Sequence, residues 1–427
     1  MVQLAEVPAR HKPSYANTAH WRSQAQMPSV IEDSVTIVRG DGVYLFDSEG
    51  NRLLDGTAAL FLANVGHAQP KIIDAARRQM EQLEFYHNHG NFVGEPAEQL
   101  ASRLRDLSPI PDAKVFFTSG GSDSVDTALK LARVHWQHEG KPSKKHVLYR
   151  DRAYHGLHAF GTSVAGINFN RRDFGVDSLI PETLRVPWDD IAETERLILE
   201  LGPENVGAFI TEPIIGSGGV LPPPEGYIAA LNALAKKYEF LIIVDEVITG
   251  FGRTGSYWGS ERFDIEPDMI VVAKGITSGY FPLGGVQVHP RIWERFFAGP
   301  ESPIFRHGLT YAGHNTGCVV AQANLDLIDE LDLVSHVRDM GAELSRALQS
   351  LEGARGVVEI RSGHGLLAGV QFESDVDLTS VVIAARQKGV LIRELSNKVL
   401  ALSPPFTIET EHVEEIVDSI HYGLSRL

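Results

Sequence analysis

The chain has 427 residues, 43% hydrophobic and 22% charged, which is ordinary globular usage and excludes a disordered or fibrous protein. Its formal net charge of −16 argues against a nucleic-acid binder, because neutralising phosphates requires basic patches, and favours solubility. The single cysteine, Cys318, excludes an intrachain disulfide; with no apolar signal core in residues 1–21 and no run of about eighteen apolar residues, the expectation is a cytoplasmic protein without a membrane span.

In chain order, "VTIVRGDGVYLFDSEGNRLLDG" alternates apolar and polar residues around a "DSEG" turn, which predicts a small antiparallel hairpin. From Pro70 to about Pro290 helices alternate with short apolar strands: "AKVFF", "HVLYR", "VGAFIT", "FLIIVD", "MIVVAK" and "GGVQVH". That alternation predicts βαβ units around a mostly parallel sheet with helices on both faces. The helix "EGYIAALNALAKKY" places Ile228, Leu231, Leu234, Ala235 and Tyr238 on one stripe. Beyond Gly317 one long helical pattern runs through "CVVAQANLDLIDELDLVSHV". A hairpin in "GVVEIRSGHGLLAGVQFE", a helix, two short strands and a final helix follow, the last with Val413, Ile416, Val417, Ile420 and Leu424 in phase. The fold class is therefore α/β, with a large domain over residues 61–318. A small α+β domain is drawn from both ends, 1–60 and 319–427.

Chemistry-bearing residues stand at the C-terminal ends of the apolar strands, where open α/β sheets place their ligands. In "KVFFTSGGSDSVDTALKLA" a helix should begin near Ser122; the N–H groups of Gly120, Gly121 and Ser122 form either an anion cradle or an ordinary N-cap. The glycine-lysine-serine/threonine ending of a Walker loop is missing. Asp245, after four apolar residues in "LIIVDEVITGFGRTG", is either a cap or internal ion pair, or a carboxylate buried for a ligand. Lys274, at the end of "MIVVAK", is either a surface cap or an amine whose charged form is disfavoured, as Schiff-base chemistry requires. Taken together the three specify a ligand with a phosphate, an aldehyde and a basic ring nitrogen. Pyridoxal 5'-phosphate has all three.

The sequence resembles the class III pyridoxal-phosphate aminotransferases of fold type I. The resemblance runs from "DSEGNRLLDGTAALFLANVGHAQP" to "LALSPPFTIETEHVEEI" through "FFTSGGSDSVDTALKLAR", "YHG", "TEPIIGSGGVLPPPEGY", "VDEVITGFGRTG", "PDMIVVAKGITSGYFPLGG" and "HGLTYAGHNTGC". It implies Lys274 as the Schiff-base lysine, Asp245 as the pyridinium partner, and Gly121 and Ser122 as the phosphate-binding pair. Tyr154 matches the aromatic residue stacked on the cofactor ring and Val247 the apolar residue on its opposite face. Thr310 matches a threonine that reaches the phosphate of the neighbouring subunit's cofactor, implying a homodimer with active sites at the interface. Glu212, at a strand end, is expected near the cofactor in a positioning or a direct role.

Two departures stand out. Where the family shows glutamate, alanine and asparagine after the glycine-serine pair, this chain has Asp123, Ser124 and Val125. Relatives that act on ornithine, acetylornithine or 4-aminobutyrate with 2-oxoglutarate have a glutamine and a gating glutamate where Ile215 and Ser217 stand here. Small residues at that point resemble the amine and ω-amino acid:pyruvate transaminases, as does Phe61 in the substrate pocket. Arg393 falls near that subgroup's mobile carboxylate-binding arginine, or is an edge-strand surface arginine. Loops around Trp21, Phe61, His87 and His89 are expected to shape the pocket. His67, His155 and His314 lack zinc-like spacing and read as hydrogen-bonded loop histidines, so no metal is expected.

The reaction implied is a ping-pong transfer of an amino group from a primary amine or ω-amino acid to an α-keto acid, with pyruvate favoured over 2-oxoglutarate. The same constellation serves an epimerase, aminomutase or decarboxylase, and a non-catalytic binding dimer is the rival from another class.

Overall fold

The computed structural model describes residues 18–172 and 174–427; most of the segment read for a signal core lies outside them. Alternating residues fold β1 (Ile37–Asp41), β2 (Tyr44–Asp47) and β3 (Arg52–Asp55) into an antiparallel meander. Asp47 Oδ1 accepts from the amides of Glu49 and Asn51, which closes the "DSEG" turn.

The central sheet comprises β4 (Lys114–Thr118), β5 (His146–Arg150), β6 (Thr183–Val186), β7 (Val206–Thr211), β8 (Leu241–Asp245), β9 (Met269–Val272) and β10 (Gly284–Val288). Their order is β4-β10-β9-β8-β7-β5-β6, all parallel except β10, which runs antiparallel to both neighbours. Strands β7 to β10 are buried throughout, as apolar runs covered on both faces must be. On one face Ile243 and Val271 pack with Val125 and Leu129 of helix Gly121–His138. On the other, Ile242 and Phe209 meet Ile228 and Leu231 of helix Tyr227–Tyr238. Each such side chain contributes roughly 1.5–3 kcal/mol by leaving water. The edge strand β6 was not expected, because in "TLRV" only Val186 is fully buried.

Near the C-terminus β11 (Val357–Arg361) and β12 (Ala368–Phe372) form the anticipated hairpin. Beyond them come β13 (Val390–Leu391), β14 (Arg393–Leu395) and β15 (Val399–Leu402). An antiparallel sheet has the order β11-β12-β15-β14, whereas β13 pairs in parallel with β3 and so joins the two ends of the chain. Two expectations are corrected. The two short strands expected here are three, β13, β14 and β15. The long helical pattern is two helices, Asn315–Glu330 and Leu333–Leu348, separated where Asp332 takes a left-handed backbone (φ 45°). The first packs on helices Pro70–Leu83 and Glu95–Leu107, so we propose that the large domain ends at this break rather than at residue 318. Among the described residues no helix is long and apolar enough to cross a membrane.

Candidate active site

The C-terminal ends of β4, β5, β7, β8 and β9 converge on a cavity of about 160 Å³. Gly121, Ser122, Tyr154, Glu212, Asp245, Val247 and Lys274 line it, so seven of the residues singled out in the sequence meet there. A larger groove, about 510 Å³, lies between residues 32–36, 47–53 and 386–389. Within it Asp33 already pairs with Arg386 at 2.6 Å, and no group there offers comparable chemistry.

Lys274 leaves β9 through a left-handed backbone (φ 45°), a conformation costly for a residue with a Cβ. Its amine is pushed down to about 8, first by burial, against the opposing pull of Asp245 and Glu212. Its Nζ lies 5.5 Å from the centroid of the Phe61 ring. Phe61 is itself left-handed (φ 62°), in a turn held by the Asp55 carboxylate, which accepts from the amides of Thr57 and Ala59. Over the same ring, at 5.8 Å, stands the guanidinium carbon of Arg393. Burial lowers the Arg393 guanidinium from its usual range.

Asp245 is 5% exposed and engaged on both oxygens. Oδ1 accepts from Val247 N–H at 3.1 Å, and Oδ2 lies 2.9 Å from Nδ1 of His155. His155 Nε2 is buried with no partner among the described residues. A carboxylate so held presents fixed negative charge to the cavity. The histidine is a hydrogen-bonded loop residue as expected, but sequence reading missed its attachment to Asp245; the two lie 90 positions apart, and only adjacency to Tyr154 in "YHG" hinted at it.

The helix that would carry the anion cradle, Gly121–His138, starts one residue earlier than expected. Ser122 Oγ accepts from Leu157 N–H at 3.3 Å, and a Cβ on Gly156 (φ 87°) would stand only 2.4 Å from that oxygen. The unusual Ser124 anchors the turn, 2.6 Å from Thr118 Oγ1 and 2.9 Å from the Gly120 carbonyl that accepts from it. Glu212 spans the cavity wall: Oε1 accepts from Tyr154 N–H at 3.0 Å and Oε2 from Gly216 N–H at 2.8 Å, while burial raises its carboxyl. Behind it the wholly buried Arg150 donates to the Glu212 carbonyl at 3.1 Å, a support that sequence reading did not find. Ser217, half-buried, follows Gly216 and, like Phe61 and Arg393, is not among the residues lining the cavity. Trp21, 85% exposed, and Thr310, also exposed, do not line the cavity of the single chain.

These groups fit pyridoxal 5'-phosphate. An anion cradle kept open by glycine, a buried carboxylate without a cationic side chain of lysine or arginine bonded to it, and a weakly basic amine all face one space. Tyr154 and Val247 both face that space as well.

Comparison with known proteins shows the family. Residues 27–424 match the family model described as aminotransferase class-III. A putrescine–pyruvate aminotransferase of Pseudomonas aeruginosa is 35% identical over 409 residues, covering 89% of this chain and 88% of that protein. Gamma aminobutyrate transaminase 3 of Solanum lycopersicum is 33% identical over 435 residues, covering 95% and 82%. The solved structure of an amine transaminase from an uncultivated Pseudomonas species, in its PLP-bound form, superposes with a TM-score of 0.91 at 33% identity, covering 97% of this chain and 100% of that one.

Proposed function

The chain belongs to the class-III aminotransferases, a pyridoxal 5'-phosphate-dependent family, and we propose that it moves the amino group of a primary amine or ω-amino acid to pyruvate. The observation that carries this reading is Arg393. Its guanidinium shares the Phe61 ring with Lys274, and it has no carboxylate partner among the described residues. A half-buried cation without a carboxylate partner near a reactive amine suits an acceptor that brings its own carboxylate.

When bound, the cofactor supplies an electron sink for negative charge at the substrate carbon. Lys274 would hold its aldehyde and, once freed, would take the proton from the substrate carbon at Nζ. Asp245 would favour a protonated ring nitrogen, with His155 holding that carboxylate in place. Gly121 and Ser122 would bind the phosphate through backbone N–H groups, and Tyr154 and Val247 would contact the ring. Glu212 ties Tyr154 to the Gly216–Ser217 wall, and Phe61 limits the amine's bulk.

A homodimer is part of the proposal. Tyr86, Phe92, Val93, Ile304 and Tyr311 are large apolar residues left exposed on segments that pack together, with Phe85 against Tyr311 at 5.5 Å and Asn88 donating to the Ala312 carbonyl. A second copy covering them would bring Thr310 to its neighbour's phosphate and Trp21 to a pocket rim. Cytoplasmic residence is also proposed, supported by a lone, buried cysteine.

The second reading is transfer to 2-oxoglutarate; the similarity to a gamma aminobutyrate transaminase bears on the amine and not on the acceptor. Against it, Ile215 is fully buried and pairs with Leu221, and Ser217 has no charge with which to gate an arginine. The test is product release across diamines, ω-amino acids, aryl amines and long-chain amines with each keto acid. Alanine formed in step with loss of amine supports the proposal. Glutamate instead would favour the second reading, and neither product would leave an epimerase, aminomutase, decarboxylase or non-catalytic dimer.

A further inference from the structure

Arg253 follows β8 in the turn beyond Asp245 and is wholly buried. A guanidinium taken out of water needs acceptors for its N–H groups and ordinarily a carboxylate among them. Here none bonds to it. Nη1 donates to the carbonyls of Leu366 at 3.0 Å and Pro404 at 2.6 Å, and Nη2 to Asn64 Oδ1 at 2.8 Å. Nε has no partner among the described residues, and the cation's carbon stands 4.6 Å from the Phe406 ring centroid. The backbone repeats the same links: Leu366 N–H donates to the Arg253 carbonyl at 3.1 Å, and Phe406 N–H to the Asn64 carbonyl at 2.6 Å.

The partners lead toward the two cations of the site. Asn64 abuts Gly275, the residue after Lys274, so closely that a Cβ there would stand 2.6 Å from Asn64 Nδ2. The Gly275 carbonyl accepts from Asn324 at 2.9 Å, which pins the turn from its other side. Leu366 precedes β12, and Pro404 and Phe406 follow β15, the two inner strands of the sheet whose edge strand β14 begins with Arg393. Burying an ion whose opposing charge, the buried Asp55, does not bond to it is costly, and an apolar side chain would join these segments at less cost. A charge retained there calls for another role.

We propose that Arg253 is a positioning residue: through Asn64 it locks the turn that presents Lys274, and through Leu366 and Pro404 the sheet that presents Arg393. The inference rests on Lys274 being the cofactor's lysine and not on which amine or keto acid reacts. Burial pushes the Arg253 guanidinium down to about 9, so it stays protonated at neutral pH, and its field is one of the causes that lower the Lys274 amine.

The experiment uses full-length Arg253→Met, Arg253→Lys and Asn64→Ala, each stripped of cofactor and checked for folding by thermal unfolding. The rate at which added pyridoxal 5'-phosphate enters the yellow, covalently held form is then followed against pH. Wild-type protein should show a midpoint near 8. Arg253→Met should move it upward by a fraction of a unit, because a neighbouring positive charge, the smallest of the causes acting on that amine, is gone. Arg253→Lys should keep the wild-type midpoint but slow uptake roughly tenfold, since an ammonium lacks the fork that spans three acceptors. Asn64→Ala should likewise slow uptake roughly tenfold without moving the midpoint. A folded Arg253→Met with wild-type midpoint and rate would overturn the inference. Should that variant fail to fold, wild-type uptake by both Arg253→Lys and Asn64→Ala would overturn it equally. A yellow band retained by Lys274→Ala would instead sink the assignment of Lys274, so the two failures are separable.

Discussion

Lys274 joins a left-handed backbone to an amine held near 8, a combination that disfavours a lysine placed for structure alone. Its folded value lies below the ordinary 10.5, so the folded chain binds fewer protons there than the unfolded chain does. The resulting destabilisation is fully present below pH 8 and fades as pH climbs from 8 to 10.5. Lys274→Met should therefore stabilise the cofactor-free protein at pH 7 by about 1–3 kcal/mol and not at pH 10.5, as thermal unfolding at the two values would show. Arg393→Ala should raise the acceptor's KM roughly 10- to 100-fold while leaving the first half-reaction with an uncharged amine within roughly twofold, a split that stopped-flow absorbance resolves. Lys274 could be singled out in the sequence because a continuous apolar run delivers it to a strand end, whereas the sequence leaves Arg393 open between a carboxylate-binding and a surface arginine. The bond from His155 to Asp245 was not legible, since it joins strands β5 and β8 across a parallel sheet and leaves no local spacing to read.

At the scale of elements, the proposed phosphate cradle depends on two turns touching: the start of helix Gly121–His138 and the "YHG" turn after β5. Gly156 is the contact point, and Gly156→Ala forces a Cβ to within 2.4 Å of Ser122 Oγ from a backbone angle that suits glycine. We expect cofactor affinity to fall roughly 10- to 100-fold while the fold survives, measured by titrating the cofactor-free protein with pyridoxal 5'-phosphate. The strands and the helix at Tyr227–Tyr238 were legible because their apolar periods are unbroken. Strand β6 escaped because an edge strand needs fewer apolar residues, and the break at Asp332 escaped because apolar residues stay in phase across it. Ser124 shows the opposite case: its departure from the family pattern was plain, yet its bonds to Thr118 and Gly120 became visible only with the turn built.

For the whole molecule, the pairing of β3 with β13 makes the two ends of the chain one unit, and the large sheet sets the strand mouths that face it. The proposed division into a large and a small part rests on the change of pattern along the chain. The proposed dimer face does not, because Phe92, Ile304 and Tyr311 come from separate stretches and gain meaning only as neighbours on a surface. A Phe92→Glu, Tyr311→Glu double variant should sediment as a monomer at concentrations where the parent is a dimer, and should lose most cofactor retention as Thr310 is withdrawn. The central claim is that Lys274 holds the cofactor. Reduction of the loaded protein with borohydride, followed by proteolysis and mass spectrometry, tests it directly: the account predicts a pyridoxyl group on the peptide containing Lys274, and a label on another lysine, or none on an active protein, would contradict it.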